Sequence, residues 1–291
     1  MNDAATKPAT PSDALPYRLE PRQLEALLPR ADVRVVDVGA HDNHLRYRPP
    51  GAVHLAYHDL ILGQPPAAGL LPPVARLEAT MRGIGLREDT HVVAYDDQGN
   101  GRASRLLWTL EVLGHRRMSL LDGGLAAWCN EGHPTETGAS ELSSSSQSSS
   151  PSQPSSQWRA RFNPAVLADS DYVLASLGDD DRMLLDARTP EEYNGVKSAS
   201  PRRGHIPGAV NLNWLDTIDR ARNLRLLPAE QLNAMLTRLG VSREREIIVY
   251  CQTHHRSAHS FVMLRTLGFE RLRGYAGSWS QWSSDDALPI E

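Results

Sequence analysis

Pro50-Gly51-Ala52-Val53-His54-Leu55 returns in the second half of the chain as Pro207-Gly208-Ala209-Val210-Asn211-Leu212. Three more pairs follow suit: Val36-Asp37-Val38 with Leu185-Asp186-Ala187, Leu113-Gly114-His115 with Leu267-Gly268-Phe269, and Asp122-Gly123-Gly124 through Trp128 with Ala276-Gly277-Ser278 through Trp282. The pairs keep one order along both halves, so the chain is two copies of one domain. Their period is far too long for a solenoid. Between them runs a stretch of Ser, Gln, Pro and Gly, SSSSQSSSPSQPSS at its heart, which has too little apolar surface to fold. The expected layout is a first domain over 15–136, a flexible linker over 137–157 and a second domain over 158–291.

Each copy alternates strand and helix. Arg34 to Val38, His91 to Tyr95, Met183 to Asp186 and Ile247 to Tyr250 are short, nearly continuous apolar runs, the pattern of strands covered on both faces. Leu77, Met81 and Ile84, and later Leu232, Met235, Leu236 and Leu239, recur at helical spacing, with Gly240 placed to end the second helix. The expected fold class is α/β: two tandem domains, each a central parallel sheet flanked by helices.

Ligands of such sheets bind beyond the carboxyl ends of the strands. Cys251 stands there, directly after Tyr250, and a helical pattern begins near Ser257. The loop Cys251-Gln252-Thr253-His254-His255-Arg256 therefore joins a strand to a helix. Its backbone N–H groups and the helix N-terminus favour an anion, and Arg256 adds a charge. A thiol in that position has its pKa lowered and becomes a nucleophile. Cys129 follows Trp128 away from any strand end and carries no expected role. In the first copy Asp96 or Asp97 takes the place of the cysteine, and the stretch Asp96 to Arg102 is one residue longer than Cys251 to Arg256, so that copy is expected to be catalytically silent.

Four stretches, in order, resemble the rhodanese family: LLDARTPEEYNG from Leu184, GHIPGAVNL from Gly204, CQTHHRS from Cys251 and YAGSWSQW from Tyr275. The chain as a whole is similar to tandem-domain thiosulfate sulfurtransferases. The resemblance implies that Cys251 attacks the outer sulfur of thiosulfate, carries it as a persulfide and passes it to a thiophilic acceptor, with cyanide or a thiol in that role. It implies that Gln252, Thr253, His254, His255, Arg256 and Ser257 form the substrate-binding loop, and that Asp186 and Arg188 tie neighbouring segments to it. It implies no organic cofactor and no metal. The cluster Cys251, His254, His255 and His259 raises zinc as a rival, but its place on one curled loop disfavours convergence.

The sequence departs from better-known members. Glu191-Glu192 precede Tyr193 where a Gly-Arg pair is expected, which removes an anion-binding arginine; Arg202 and Arg203 are the candidates to replace it. The alternatives are a 3-mercaptopyruvate sulfurtransferase, a carrier loaded by a persulfide donor protein, a non-catalytic interaction module, and a phosphatase or arsenate reductase. The last pair is disfavoured because four residues, not five, separate Cys251 from Arg256. Formal net charge of -4 gives no basic field for nucleic acid. No apolar run reaches the roughly 18 residues needed to span a membrane, and the opening MNDAATKPATPSDALPY, without an apolar stretch or a cationic start, leads to the expectation of no signal peptide. Two cysteines suit a reducing compartment. A cytoplasmic monomer is the expectation.

Overall fold

A computed structural model describes residues 15–138 and 158–291. Apart from its first two residues, the Ser-rich stretch expected to be a linker lies outside the described residues.

The first half builds a five-stranded sheet from β1 (Arg18–Leu19), β2 (Val33–Asp37), β3 (Val53–His54), β4 (His91–Tyr95) and β5 (Met118–Leu121), in the order β1-β5-β4-β2-β3. The second half repeats it with β6 (Leu167–Ala168), β7 (Arg182–Asp186), β8 (Val210–Asn211), β11 (Glu246–Tyr250) and β12 (Leu272–Tyr275), in the order β6-β12-β11-β7-β8. Every pairing within these two sheets is parallel. The same turn recurs too: Gly51 at φ +71° and Gly208 at φ +72° both need the left-handed region that glycine tolerates.

Helices cover the sheets. The first half carries α1 (Pro21–Leu27), α2 (His41–Arg46), α3 (Val74–Gly83), α4 (Gly101–Val112) and α5 (Gly124–Asn130). The second carries α6 (Ser170–Leu174), α7 (Pro190–Tyr193), α8 (Ala229–Arg238), α9 (Arg256–Thr266) and α10 (Ser278–Trp282). Gly240, at φ +71°, ends α8 as its place in the sequence predicts.

Strand periodicity explains why the halves stay together. Successive side chains of a strand point to opposite faces. On β11, Ile247 and Val249 face a central core while Ile248 and Tyr250 face an outer one. On β4, Val92 and Ala94 face the same central core while Val93 and Tyr95 face a separate outer one. The central core thus belongs to both halves, and α4 and α9 pack against each other within it. Arg265 of α9 pairs with Glu111 of α4 at 2.5 Å.

A small antiparallel hairpin, β9 (Ile218–Asp219) with β10 (Arg225–Leu226), was not legible in the sequence because its strands are two residues long. It clamps the halves from the side: Arg225 of β10 bonds Glu20 and Glu131 of the first half at 2.8 and 2.5 Å. Among the described residues no helix is long and apolar enough to cross a membrane.

Candidate active site

Cys251 follows the last residue of β11, and α9 begins at Arg256, so five residues form the crossing. In the first half, residues 96–100 cross from β4 to α4, also five. The expected extra residue is therefore not in the loop. It is absorbed in the helix, twelve residues in α4 against eleven in α9. Counting from cysteine to arginine misled, because Gly101, not Arg102, occupies the place of Arg256.

The loop is curled tightly enough to enclose the sulfur. His254 sits at φ 58°, a left-handed position that histidine enters more readily than most residues. Trp279 and Ser280 at the start of α10 donate to the carbonyls of Cys251 and Gln252, and the Cys251 N–H donates to the Ser278 hydroxyl. The sulfur is buried at 1 % exposure. Burial alone would push the thiol up. The Arg256 charge, the Ser257 hydroxyl and the N–H groups of Ser257 and Thr253 outweigh it, so the thiol lies below its ordinary value. The site can therefore hold a thiolate, or an anion bonded to that sulfur.

Arg256 donates twice to Glu192, at 2.5 and 2.8 Å. Glu192 also accepts from the Thr189 N–H, closing a capping box on α7. The acidic residue that seemed only to remove an arginine is the partner that orients Arg256. Asp186 and Arg188 are both fully buried. Arg188 grips Asp186 through Nε and Nη2, donates to the Gly204 carbonyl at 2.9 Å and lies 4.5 Å over the Trp279 ring. The pair ties β7 to the Gly204 turn and to α10, which in turn holds the loop; it makes no direct bond to the loop itself. Gln252 donates to the Ser200 hydroxyl at 2.7 Å. Arg202 is engaged elsewhere, donating to the carbonyls of Asp285 and Leu288. Arg203 is exposed.

The three loop histidines point to different neighbours. His254 is fully buried, 4.3 Å edge-on to Trp108 of the first half, with Nδ1 2.8 Å from the Ser257 Oγ. His255 lies between Tyr57 and Trp214, and His259 lies edge-on to Trp214. Burial keeps all three neutral, with His255 near 4 and His259 near 3. Among the described residues no group of three or more His, Cys, Asp or Glu is placed to hold a metal.

Sequence reasoning missed what the first half brings to the loop. Arg105, buried in the middle of α4, donates to the carbonyls of His254, Leu60 and Gly69 at 3.3, 3.2 and 2.6 Å. Gly69 lies so close to the Thr253 carbonyl that a side chain there would collide with it. Tyr57 packs 5.3 Å from His255. The one available signal was an arginine directly before the apolar Leu106-Leu107-Trp108 of α4, a residue type almost never fully buried without partners. Cys129 is half-buried on α5, and burial raises its thiol.

The first half repeats the nest with another occupant. Asp96 Oδ1 accepts from the N–H groups of Gln98 and Asn100, and Oδ2 from those of Arg102 and Ala103, all at 2.8 to 3.0 Å. Of the two aspartates expected there, Asp96 fills the position; Asp97 instead accepts from the Ala40 N–H and the Asn43 amide.

Fold and site together define a two-domain α/β protein with an anion nest at the end of a central strand in each half, one holding a cysteine and the other a carboxylate. The rhodanese-like domain pattern matches residues 20–131 and 169–285, and the chain belongs to that family. It is 37% identical over 278 residues to a thiosulfate sulfurtransferase of Azotobacter vinelandii, covering 96% of this chain and 98% of the relative. It is 32% identical over 269 residues to a 3-mercaptopyruvate sulfurtransferase of Escherichia coli (strain K12), covering 89% and 90%. The crystal structure of SseA from Escherichia coli superposes with a TM-score of 0.77 at 26% identity, covering 91% of this chain and 99% of that one. The protein is a sulfurtransferase.

Proposed function

We propose that Cys251 is the sulfur-carrying residue and that thiosulfate is the donor. The Cys251 thiolate attacks the outer sulfur; an S–S bond forms to the enzyme, the S–S bond of thiosulfate breaks, and sulfite leaves with the electron pair. The persulfide's terminal sulfur is then taken by cyanide or a thiol, which returns the thiolate. The N–H groups of the loop and the Ser257 hydroxyl stabilise the charge as it moves outward, as an oxyanion hole does. Arg256 keeps the sulfur anionic, Glu192 holds Arg256 in place, and Asp186 with Arg188 braces the elements behind the loop.

One observation carries this reading. The N–H groups at Thr253 and Ser257 that face the sulfur stand where those of Gln98 and Arg102 bind the carboxylate of Asp96, so the backbone of this turn is built for an anion. The first half, its nest filled by its own side chain, acts as a scaffold. Gln252-Thr253-His254-His255 matches neither the cationic loop of animal-type thiosulfate enzymes nor the small, Gly-containing loop of mercaptopyruvate enzymes; the identity to a thiosulfate sulfurtransferase, 37% against 32% to a 3-mercaptopyruvate sulfurtransferase, supports thiosulfate. Initial rates with thiosulfate and cyanide both varied should give parallel double-reciprocal lines, with kcat/KM for thiosulfate above that for 3-mercaptopyruvate. The reverse preference would keep the persulfide and replace the donor.

A further inference from the structure

A donor such as thiosulfate carries its charge at the end remote from the attacked sulfur, and that end needs a cation. The second half has few to spare. Arg256 is spent on Glu192, Arg188 on Asp186 and Arg202 on two backbone carbonyls. Arg105 lies completely buried, its guanidinium occupied by three carbonyls.

Arg102 is different. It leads α4 from the first half and reaches the domain junction, where its guanidinium lies 5.8 Å over the Tyr57 ring. It makes no side-chain hydrogen bond and no ion pair among the described residues, although its Nε is buried. A partly buried guanidinium with no counter-charge is costly to keep. The Tyr57 hydroxyl likewise has no hydrogen-bond partner among the described residues. Burial holds the Tyr57 phenol above its ordinary value; Arg105 and Arg102 pull it down and Cys251 pushes it up. It is therefore a protonated donor at neutral pH, within electrostatic reach of the sulfur. His255, next on the loop wall, touches Tyr57 on one side and Trp214 on the other. Two unspent donors thus border the Cys251 loop, both from the half whose own nest holds a carboxylate.

We infer that Arg102 and Tyr57 bind the anionic end of the sulfur donor, so that the first half completes the donor site of the second. This rests on the reading of Cys251 as the sulfur carrier. It assigns the donor class as a small anion with its charge distal to the transferable sulfur. The first half then supplies the guanidinium that the Glu191-Glu192 sequence lacks.

The test uses the full chain and thiosulfate. Arg102→Ala should raise KM for thiosulfate roughly tenfold or more, the loss of a charged hydrogen bond, while kcat falls far less. Arg102→Lys should recover part of the loss and Tyr57→Phe should show a smaller rise. Discharge of the preloaded persulfide to a neutral thiol, dithiothreitol, should slow far less than loading, since no anion is bound in that step. Thermal unfolding of each variant identifies any that fail to fold, and Arg102→Lys keeps the stem packing if Arg102→Ala does not. Wild-type enzyme that loads from thiosulfate alongside Arg102→Ala that loads over the same concentrations would overturn this inference alone. Equal slowing of loading and discharge would also overturn it, by making Arg102 structural. Wild-type enzyme that takes no sulfur from thiosulfate would overturn the donor reading together with it.

Discussion

The two strand-end nests share a five-residue crossing from strand to helix but not its occupant. In the first half four N–H groups close on the Asp96 carboxylate. In the second, the equivalents of two of these, the N–H groups of Thr253 and Ser257, face the Cys251 sulfur. The carboxylate completes its own site, whereas the thiol stops short of one and, on the proposed reading, is completed by the sulfur it carries. The supporting residues diverge in parallel. Asp37 accepts from the Gly39 N–H as Asp186 accepts from the Arg188 N–H, but its side-chain partners are His44 and Tyr95 and not an arginine. Gly101 stands where Arg256 stands. A duplicated fold thus keeps an anion-binding turn in both copies, and the electrostatics around it decide whether the turn is structural or reactive.

The largest expected effect tests the reactive nest. Cys251→Ser should lower turnover by on the order of 10³-fold or more, because a hydroxyl in this setting is a poor nucleophile for sulfur; residual turnover near wild type in a steady-state cyanide assay would move the chemistry elsewhere. The filled nest should respond in stability instead. Asp96→Ala leaves four N–H groups buried without an acceptor and should cost about 3 kcal/mol in denaturant unfolding; an unchanged midpoint would mean that the carboxylate does not hold the turn.

Gly69→Ala tests the contact of the first half with the reactive nest. Its side chain would press on the Thr253 carbonyl, so kcat should fall several-fold through a displaced loop although the substitution lies in the other half. Full activity would show that the halves yield easily at that point. Arg256→Gln should act on pH dependence. Burial then dominates, the thiol rises toward its ordinary range, and the acidic limb of kcat/KM moves to higher pH; an unmoved limb would assign the lowered thiol to the loop N–H groups alone.

The smallest effect concerns the junction. His255 near 4 and His259 near 3 are buried neutral, while unfolded histidine titrates near 6.5. Between those values the unfolded chain binds more protons, so the stability they contribute is full above about pH 6.5 and is lost as pH falls toward about 4 for His255 and about 3 for His259. Replacing both by Gln should flatten that slope in unfolding measurements.

Much of this was legible in the amino-acid sequence, for local reasons. A parallel α/β sheet writes itself as apolar runs alternating with helical periods, and a cysteine at the end of such a run lies at the place where these folds bind ligands. The duplication then exposed an aspartate, Asp96 or Asp97, in place of the cysteine. What escaped was non-local. Arg256 meets Glu192 across 64 positions, and Arg105 meets the His254 carbonyl across 149. No periodicity records such meetings, so Glu192 read as a lost cation instead of a gained brace. His254 read only as one residue of the substrate-binding loop, because nothing nearby announces that Trp108 of the other half will cover it.

Intact mass before and after thiosulfate, on wild type and on Cys251→Ala, tests the central claim most directly. The account predicts a gain of one sulfur, about 32 Da, in wild type alone, removed by cyanide. A gain that persists in Cys251→Ala, or wild type that gains from no sulfur donor, would contradict it.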